Sequence, residues 1–309
     1  MSVRLEQFIK FTTDSVGLER TFRLFQATVQ ILASFAIPFD LLLYTLTLST
    51  GATPSASSVR VILKALNQRL GLARRFFRLF RFLESFNAAH KFYFKLSSPK
   101  TRKGEPRGYW VRAEPWLDVF ARTFNGMYLL LEASTIVDAL QIPGLAVWTP
   151  EWERTIAVEA QRFWLFSLVC GCLYNVLEIP LTMASMPPPD LPASGAEEKR
   201  RSGSKQDSIS EKGRDTPNEE TNEEEAEEFK SKSAEKLEER SRIWRQQVSA
   251  KTYKLGRAAT ANALDIILPG SVVGWVKVEP GTVGLAMFVT TILTGMEVWE
   301  RCGREVSGI

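Results

Sequence analysis

The residues of this chain best suited to chemistry are cations rather than nucleophiles or metal ligands. Residues 59–95 carry nine lysines and arginines against a single acid, Glu84. Guanidinium groups bind phosphate oxygens well, so this concentration of positive charge favours contact with an anionic surface, either a membrane or a nucleic acid. Three cysteines and one histidine are too few for a disulfide framework and poorly suited to a zinc site.

Catalysis finds little support in the sequence. The single histidine, His90, has no Ser, Cys or Asp constellation around it, and we interpret it as a surface or packing residue. Cys170 and Cys172 lie in an apolar run, which is typical of packing. No Walker loop, nucleophile elbow, HExxH zinc motif or dinucleotide fingerprint occurs. We therefore predict no catalytic residue, no metal and no cofactor.

The cationic segment has the period of an amphipathic helix. At about 100° per residue, its polar side chains share one arc and its apolar side chains share the opposite one. The apolar arc comprises Ile62, Leu66, Leu70, Ala73, Phe76, Phe77, Phe80 and Leu83. We predict that this arc inserts at the headgroup boundary of an anionic phospholipid membrane while the arginines meet lipid phosphates. The alternative is a core helix with solvated arginines. RNA binding is not expected, because no RNP-like motif accompanies the arginines.

Two apolar segments are candidate membrane spans, at 163–186 and 280–296. Both are short for a span, and the alternative is a pair of buried helices in a soluble bundle. The first contains Glu178, which could line a pore or lie at a helix end. Small residues four positions apart in the second segment allow close helix packing: Ala286, Thr290 and Thr294, with Thr291 and Gly295.

Charge divides the chain. Residues 190–242 hold 16 acidic and 11 basic residues, whereas the rest of the chain is basic and more apolar. The low-complexity composition predicts a disordered linker over 187–228 and a polar helix over 229–255. Around them we place an N-terminal helical region, 1–186, and a C-terminal anchoring block, 256–309. The predicted fold class is all-α: a membrane-associated helical bundle with amphipathic helices and one or two short hydrophobic helices.

Three stretches resemble the peroxin-11 family of peroxisomal membrane proteins. They are LERTFRLFQATVQIL at 18–32, RLGLARRFFRLFRFLESF at 69–86, and ALDIILPGSVVGWVKVEPGTVGLAMFVTTILTGMEVW at 263–299. The last includes a Gly-x-Val-Gly turn at Gly281, Val283 and Gly284. Each motif is modest alone, but their order and spacing make the resemblance fairly specific. The long acidic insert departs from the compact members and suggests a divergent fungal-type branch.

The resemblance implies a protein of the peroxisomal membrane that tubulates and elongates the organelle before fission. It assigns membrane insertion to Arg69, Arg74, Arg75, Phe76, Phe77, Arg78, Phe80, Arg81 and Leu83. It assigns the anchoring role to residues 280–296. Within this segment we expect helix packing and anchoring at its small residues: Gly281, Gly284, Ala286, Thr290, Thr294 and Gly295. The resemblance further implies homo-oligomers, fission adaptors and a dynamin-related GTPase as partners.

Two competing functions remain open at this stage. The first is a peroxisomal membrane channel or carrier for small metabolites, with Glu178, Asp138 and Glu132 as polar positions inside a bundle. The second is a soluble helical adaptor without lipid contact.

Overall fold

The structure, a computed structural model, describes residues 2–51, 53–97, 113–185 and 219–308. It is 88% helical, which confirms the all-α prediction. The helices in chain order are α1 (Val3–Thr13), α2 (Ser15–Ser34), α3 (Ala36–Thr50), α4 (Ala56–Arg78), α5 (Arg81–Ser97), α6 (Ala113–Ser134), α7 (Ile136–Ala139), α8 (Pro150–Ser185), α9 (Glu219–Asp265), α10 (Ile267–Val273) and α11 (Pro280–Ser307).

Local sequence signals set several helix ends. The Asp14 carboxylate accepts a hydrogen bond from the Gly17 amide at 3.1 Å and so caps the start of α2. Gly51 ends α3 in the left-handed region, at φ 67°, where a residue with a Cβ would be strained. Pro280 opens α11 at the first helical position, where its missing amide proton costs nothing.

The amphipathic segment 59–95 forms two helices rather than one. Helix α4 ends at Arg78 and α5 begins at Arg81, with a turn at 79–80 where the Leu79 amide bonds the Phe76 carbonyl in a tighter, three-residue step. No glycine or proline lies at this turn, so the sequence carries no local signal for the break.

The chain divides into two compact units. The first combines residues 1–178 with 255–309, and the second comprises residues 179–254. The first unit therefore joins the beginning and the end of the chain, which the sequence reading had placed in separate regions.

Helix bounds along the acidic part also differ from those expected. Helix α9 begins at Glu219, inside the predicted linker, and ends at Asp265, inside the predicted anchoring block. The remainder of that linker, up to residue 218, lies outside the described residues.

Helix α2 is central to the first unit. It packs against α4 and α11, while α1 packs on α11 and α5 packs on α6. One apolar cluster joins Val29, Phe39, Val59 and Leu63 of α2, α3 and α4. A second cluster is built on Tyr128 and Leu129 of α6 and on Ala160 of α8.

The first unit buries polar side chains and exposes large apolar ones. Glu19, Arg23, Thr290 and Asp265 are all buried, Glu19 to 1% exposure. On the outside lie rows of apolar residues, for instance Leu285, Val289, Ile292 and Met296 of α11. Soluble domains have the opposite arrangement, whereas a bundle that meets lipid can carry its apolar side chains outward.

Within the ranges that the structure describes, two helices are long and apolar enough to cross a membrane. They are Pro150–Ala184 within α8 and Pro280–Ser307, which is α11, and only 22% and 39% of their apolar windows are buried. Helices α2 and α3 pass the same test as a pair, but they are bent by 97°, so they would form a broken span at most.

Candidate membrane-binding face and polar interior

One side of α4 and α5 carries large apolar side chains that touch little of the protein. We call this surface the outer stripe; it consists of Ile62, Leu66, Phe76, Phe80 and Leu83. Phe80 is 70% exposed and Phe76 is 47% exposed. An unpartnered row of aromatic and aliphatic groups of this size is typical of a lipid or protein contact surface.

The opposite side of α4 faces inward and carries its arginines into the bundle. Arg74, which is 8% exposed, donates from Nε and Nη2 to Glu19 Oε1 at 3.0 and 2.9 Å. Its Nη1 donates to Gln26 Oε1 at 2.7 Å. A buried guanidinium is tolerated because it is paired and fully hydrogen-bonded in this way.

A second buried ion pair lies one helical turn further along α4. Arg78 Nη2 donates to Glu132 Oε1 at 2.8 Å, and Arg78 Nη1 donates to the Tyr128 hydroxyl at 2.9 Å. The Tyr128 hydroxyl in turn donates to Glu132 Oε1 at 3.3 Å. These three side chains fix α4 against α6.

Burial and the neighbouring groups shift the pKa values of Arg78 and Tyr128. Burial alone would lower the pKa of the Arg78 guanidinium, but the Glu132 carboxylate and the Tyr128 hydroxyl outweigh burial and raise that pKa above its usual value. Burial raises the pKa of the Tyr128 phenol to about 12. The phenol therefore keeps its proton at physiological pH and can donate it to Glu132.

The residues expected to bind membrane consequently divide into two sets. Phe76, Phe80 and Leu83 are exposed on the outer stripe, and the exposed cation Arg69 lies among them. Inside the unit or at its edge lie Arg74, Arg75, Phe77, Arg78 and Arg81.

The contacts of the inner set are specific. The Phe77 ring packs against the Phe22 ring, with centroids 5.3 Å apart. Arg75 Nε lies 3.7 Å from Glu132 Oε1. In this conformation Arg74, Arg75 and Arg78 pair with carboxylates. The role of the whole set at a membrane stays a prediction.

Two of the glycines assigned to helix packing, Gly281 and Gly284, lie where α11 approaches the C-terminal end of α2. The Gly-x-Val-Gly sequence expected as a turn is part of helix α11. A Cβ added to Gly281 would lie 3.0 Å from the Phe35 ring, and one added to Gly284 would lie 3.1 Å from Gln30 Cγ. Gly295 differs, since a Cβ there would meet nothing within 4 Å in the part of the chain that the structure describes.

The remaining residues of that set are inside the unit. Ala286 and Thr290 are buried and Thr294 is partly buried. The Thr290 hydroxyl accepts a hydrogen bond from Arg23 Nη2 at 3.1 Å. Arg23 also donates to Asp265, so these three side chains link α2, α9 and α11. The anchoring role assigned to these residues stays a prediction.

Sequence analysis did not single out Glu19 or Asp265, and it considered Glu132 only as a polar position of a possible channel. These three carboxylates come from helices far apart in the chain, and each binds an arginine from another helix. Glu19 is an isolated acid on an otherwise apolar and cationic helix, and this was the available signal.

The three acidic residues considered for a pore, Glu178, Asp138 and Glu132, have different surroundings in the structure. Glu178 is half-buried and interacts with other residues, and it is not among the residues lining the cavity described below. Asp138 accepts hydrogen bonds from the amides of Val147 and Trp148 at 2.7 and 3.0 Å, which holds the loop after α7. Glu132 pairs with Arg78, as above.

A polar cavity of about 520 Å³ lies within the first unit, between α2, α4, α5, α6 and α8 and the parts of α9 and α11 that belong to this unit. Charged and hydroxyl or amide side chains make up most of its lining. Among the described residues, no group of three or more His, Cys, Asp or Glu side chains is placed to hold a metal ion.

Buried ion pairs, rows of exposed apolar side chains and, in the described part of the chain, two helices long enough to span a bilayer define a membrane-associated helical bundle. A family model described as Peroxisomal biogenesis factor 11 (PEX11) matches residues 5–299. The chain belongs to this family, which confirms the resemblance read from the sequence and makes it a peroxisomal membrane protein with a role in peroxisome biogenesis. Comparison with curated proteins and with solved structures finds no match.

Proposed function

We propose that this protein bends and elongates the peroxisomal membrane by inserting the outer stripe of α4 and α5 into one leaflet. The observation that carries the proposal is the exposure of the stripe on helices whose opposite side is held inside by buried ion pairs. An apolar surface that enters one leaflet to the headgroup boundary spreads the headgroups on that side and favours positive curvature.

Electrostatic attraction to anionic lipid is then assigned to the exposed cation Arg69, which lies within the outer stripe. It contributes roughly 1 kcal/mol near an anionic surface. Lys64 is exposed on the opposite side of the helix, away from the inserted stripe. Because Arg74 and Arg78 are engaged by carboxylates, the salt dependence of binding should be smaller than nine cations would give.

The two apolar helices, Pro150–Ala184 and α11, support this proposal by providing attachment that does not depend on the stripe. Insertion of the stripe would then change the shape of a membrane to which the protein is already bound. Homo-oligomerisation, and recruitment of fission adaptors and a dynamin-related GTPase, stay predictions based on the family resemblance.

Reconstitution of the purified full-length protein into anionic liposomes tests the proposal. Wild-type protein should draw the liposomes into tubules, and Phe76→Glu with Phe80→Glu should abolish tubules while leaving the protein in the membrane fraction. Ser57→Glu with Gln68→Glu is the matched control, because it adds the same charge at exposed positions of α4 away from the stripe. Normal tubules from the phenylalanine variant would reject insertion of the stripe.

A second candidate function, a channel or carrier for small metabolites, is favoured by the polar cavity within the first unit. Sealed proteoliposomes loaded with a small anion measure this directly. Release of the anion would support the candidate, and intact retention would reject it. Glu178→Gln should alter release only if Glu178 contacts the permeating solute.

A further inference from the structure

The cavity of the first unit has an excess of positive charge. Six arginines line it: Arg20, Arg23, Arg74, Arg78, Arg81 and Arg122. Only four carboxylates line it: Glu19, Glu84, Asp118 and Asp265. Counting Glu132, which pairs with Arg78 from outside the lining, still leaves one positive charge in excess.

Four of the six guanidinium groups have a carboxylate of their own. Arg74 and Arg78 form the buried pairs described above, and Arg23 binds Asp265. Arg122 Nε donates to both oxygens of Asp118, at 3.1 and 3.0 Å.

Arg20 and Arg81 are the two that remain. Arg20 Nε lies 3.6 Å from Glu19 Oε2, beyond hydrogen-bond distance. The same Glu19 carboxylate is hydrogen-bonded to Arg74. For Arg81, no ion pair is formed within the described ranges, and its nearest acid in sequence, Glu84, is exposed. Arg20 therefore shares one carboxylate with Arg74, and Arg81 has none among the described residues. An excess of partly buried guanidinium charge in one cavity is unfavourable unless an anion joins it.

The cavity lining also has more unpaired hydrogen-bond donors than unpaired acceptors. Three buried Nε groups of its arginines, on Arg20, Arg23 and Arg78, have no acceptor in the part of the chain described. The corresponding buried acceptor without a donor is Glu19 Oε2. Donors therefore exceed acceptors at the lining, as in a site that receives an oxyanion.

We propose that this cavity binds one phosphate group, held by the guanidinium groups of Arg20 and Arg81. The planar fork of arginine donates two parallel hydrogen bonds to a tetrahedral oxyanion, and two such forks satisfy its charge. Neutral donors for the remaining oxygens are available on the lining at Tyr174, Asn175 and Asn262. This assignment goes beyond membrane bending and does not depend on it.

The cavity volume, about 520 Å³, falls in the range of small-ligand sites and exceeds the needs of phosphate alone. The phosphate therefore belongs to a larger molecule, either a water-soluble phosphate ester or the headgroup of an anionic phospholipid. Both sources present the same chemistry to the arginines, and the experiment below separates them.

Binding is measured on the purified full-length protein in a neutral detergent, by the shift in thermal midpoint and by titration calorimetry. One arm adds glycerol 3-phosphate, and the other adds phosphatidic acid in mixed micelles. A shift with glycerol 3-phosphate assigns the site to soluble phosphate esters. A shift with phosphatidic acid alone assigns it to a lipid headgroup. No shift with either probe overturns the proposal.

Arg81→Gln and Arg20→Gln should each weaken binding at least tenfold. Arg81→Gln should also leave the thermal midpoint of the ligand-free protein unchanged or higher, because it removes an uncompensated charge from the cavity. The matched control is Arg4→Gln, at an exposed arginine of α1 that lies outside both the lining and the outer stripe. Equal binding by wild type and both cavity variants, or loss confined to Arg4→Gln, would overturn the proposal. Tubulation by the Arg20→Gln protein, assayed separately, keeps failure of this site distinct from failure of the membrane-bending function, because Arg20 lines the cavity and is not among the residues assigned to membrane insertion.

Discussion

Removing the carboxylate of Glu19 should leave a positive charge stranded inside the bundle. Glu19 is 1% exposed and receives two hydrogen bonds from the Arg74 guanidinium, at 3.0 and 2.9 Å. Glu19→Gln preserves the size and shape of the side chain but removes its charge. The substitution therefore isolates the electrostatic part of the interaction.

The expected loss follows from the burial of both partners. Truncating one partner of a buried, hydrogen-bonded ion pair costs about 3–5 kcal/mol, because the other charge remains without compensation. An exposed pair is worth about 0–1 kcal/mol. At roughly 2–4 °C per kcal/mol for a domain of this size, Glu19→Gln should lower the thermal midpoint by about 10 °C.

The assay is thermal unfolding of the purified protein in detergent, with an exposed ion pair of the same chemistry as control. Glu159 and Arg162 pair on the surface of α8, with both side chains more than 40% exposed. Glu159→Gln should lower the midpoint by no more than about 4 °C. Glu19→Gln combined with Arg74→Leu should recover most of the loss, since the guanidinium that Glu19 binds most closely is then also removed.

Equal midpoints for Glu19→Gln and Glu159→Gln would refute this reasoning. The same holds if the double variant is less stable than Glu19→Gln alone. Either result would mean that Arg74 reaches water or lipid phosphate, and that the arginine side of α4 is not enclosed.

Two further substitutions test the packing around this core. Gly284→Ala should destabilise the protein by about 1–3 kcal/mol, because the added Cβ would press on α2. Gly295→Ala should be neutral or should stabilise by about 0.5–1 kcal/mol through helix propensity. Equal thermal midpoints for the two variants would contradict the close approach of α11 to α2. Phe77→Glu should lower the thermal midpoint sharply, because the Phe77 ring packs on Phe22. Phe80→Glu should leave the midpoint nearly unchanged, because Phe80 is exposed. A larger loss for Phe80→Glu than for Phe77→Glu would mean that the side of α4 with Phe77 faces outward.

The sequence predicts the helices of this protein well where periodicity and apolar length are sufficient. The opposition of polar and apolar arcs on α4 follows from a 3.6-residue period, and the candidate spans in α8 and α11 follow from runs without charge. The family follows from the order of three motifs, and the family model confirms it.

What the sequence could not provide is the direction in which the arginine arc faces. A cationic arc is compatible with lipid phosphate, with water or with buried carboxylates, and periodicity is the same in all three cases. In the structure, buried carboxylates bind two of these arginines. Glu19 lies 55 positions from Arg74 in the chain, and Glu132 lies 54 positions from Arg78. The sequence also carries no local signal for the break between α4 and α5, since no glycine or proline lies there and the break depends on packing.

The central claim is that the outer stripe meets lipid while the arginine side of α4 is enclosed. It is tested most directly by a spin label at Phe80→Cys in the reconstituted protein, with Lys64→Cys on the other side of the helix as control and the cysteines at 170, 172 and 302 replaced by alanine. The label at position 80 should collide readily with oxygen and rarely with a water-soluble nickel chelate, and the label at position 64 should do the reverse. Equal nickel access at both positions would contradict the account.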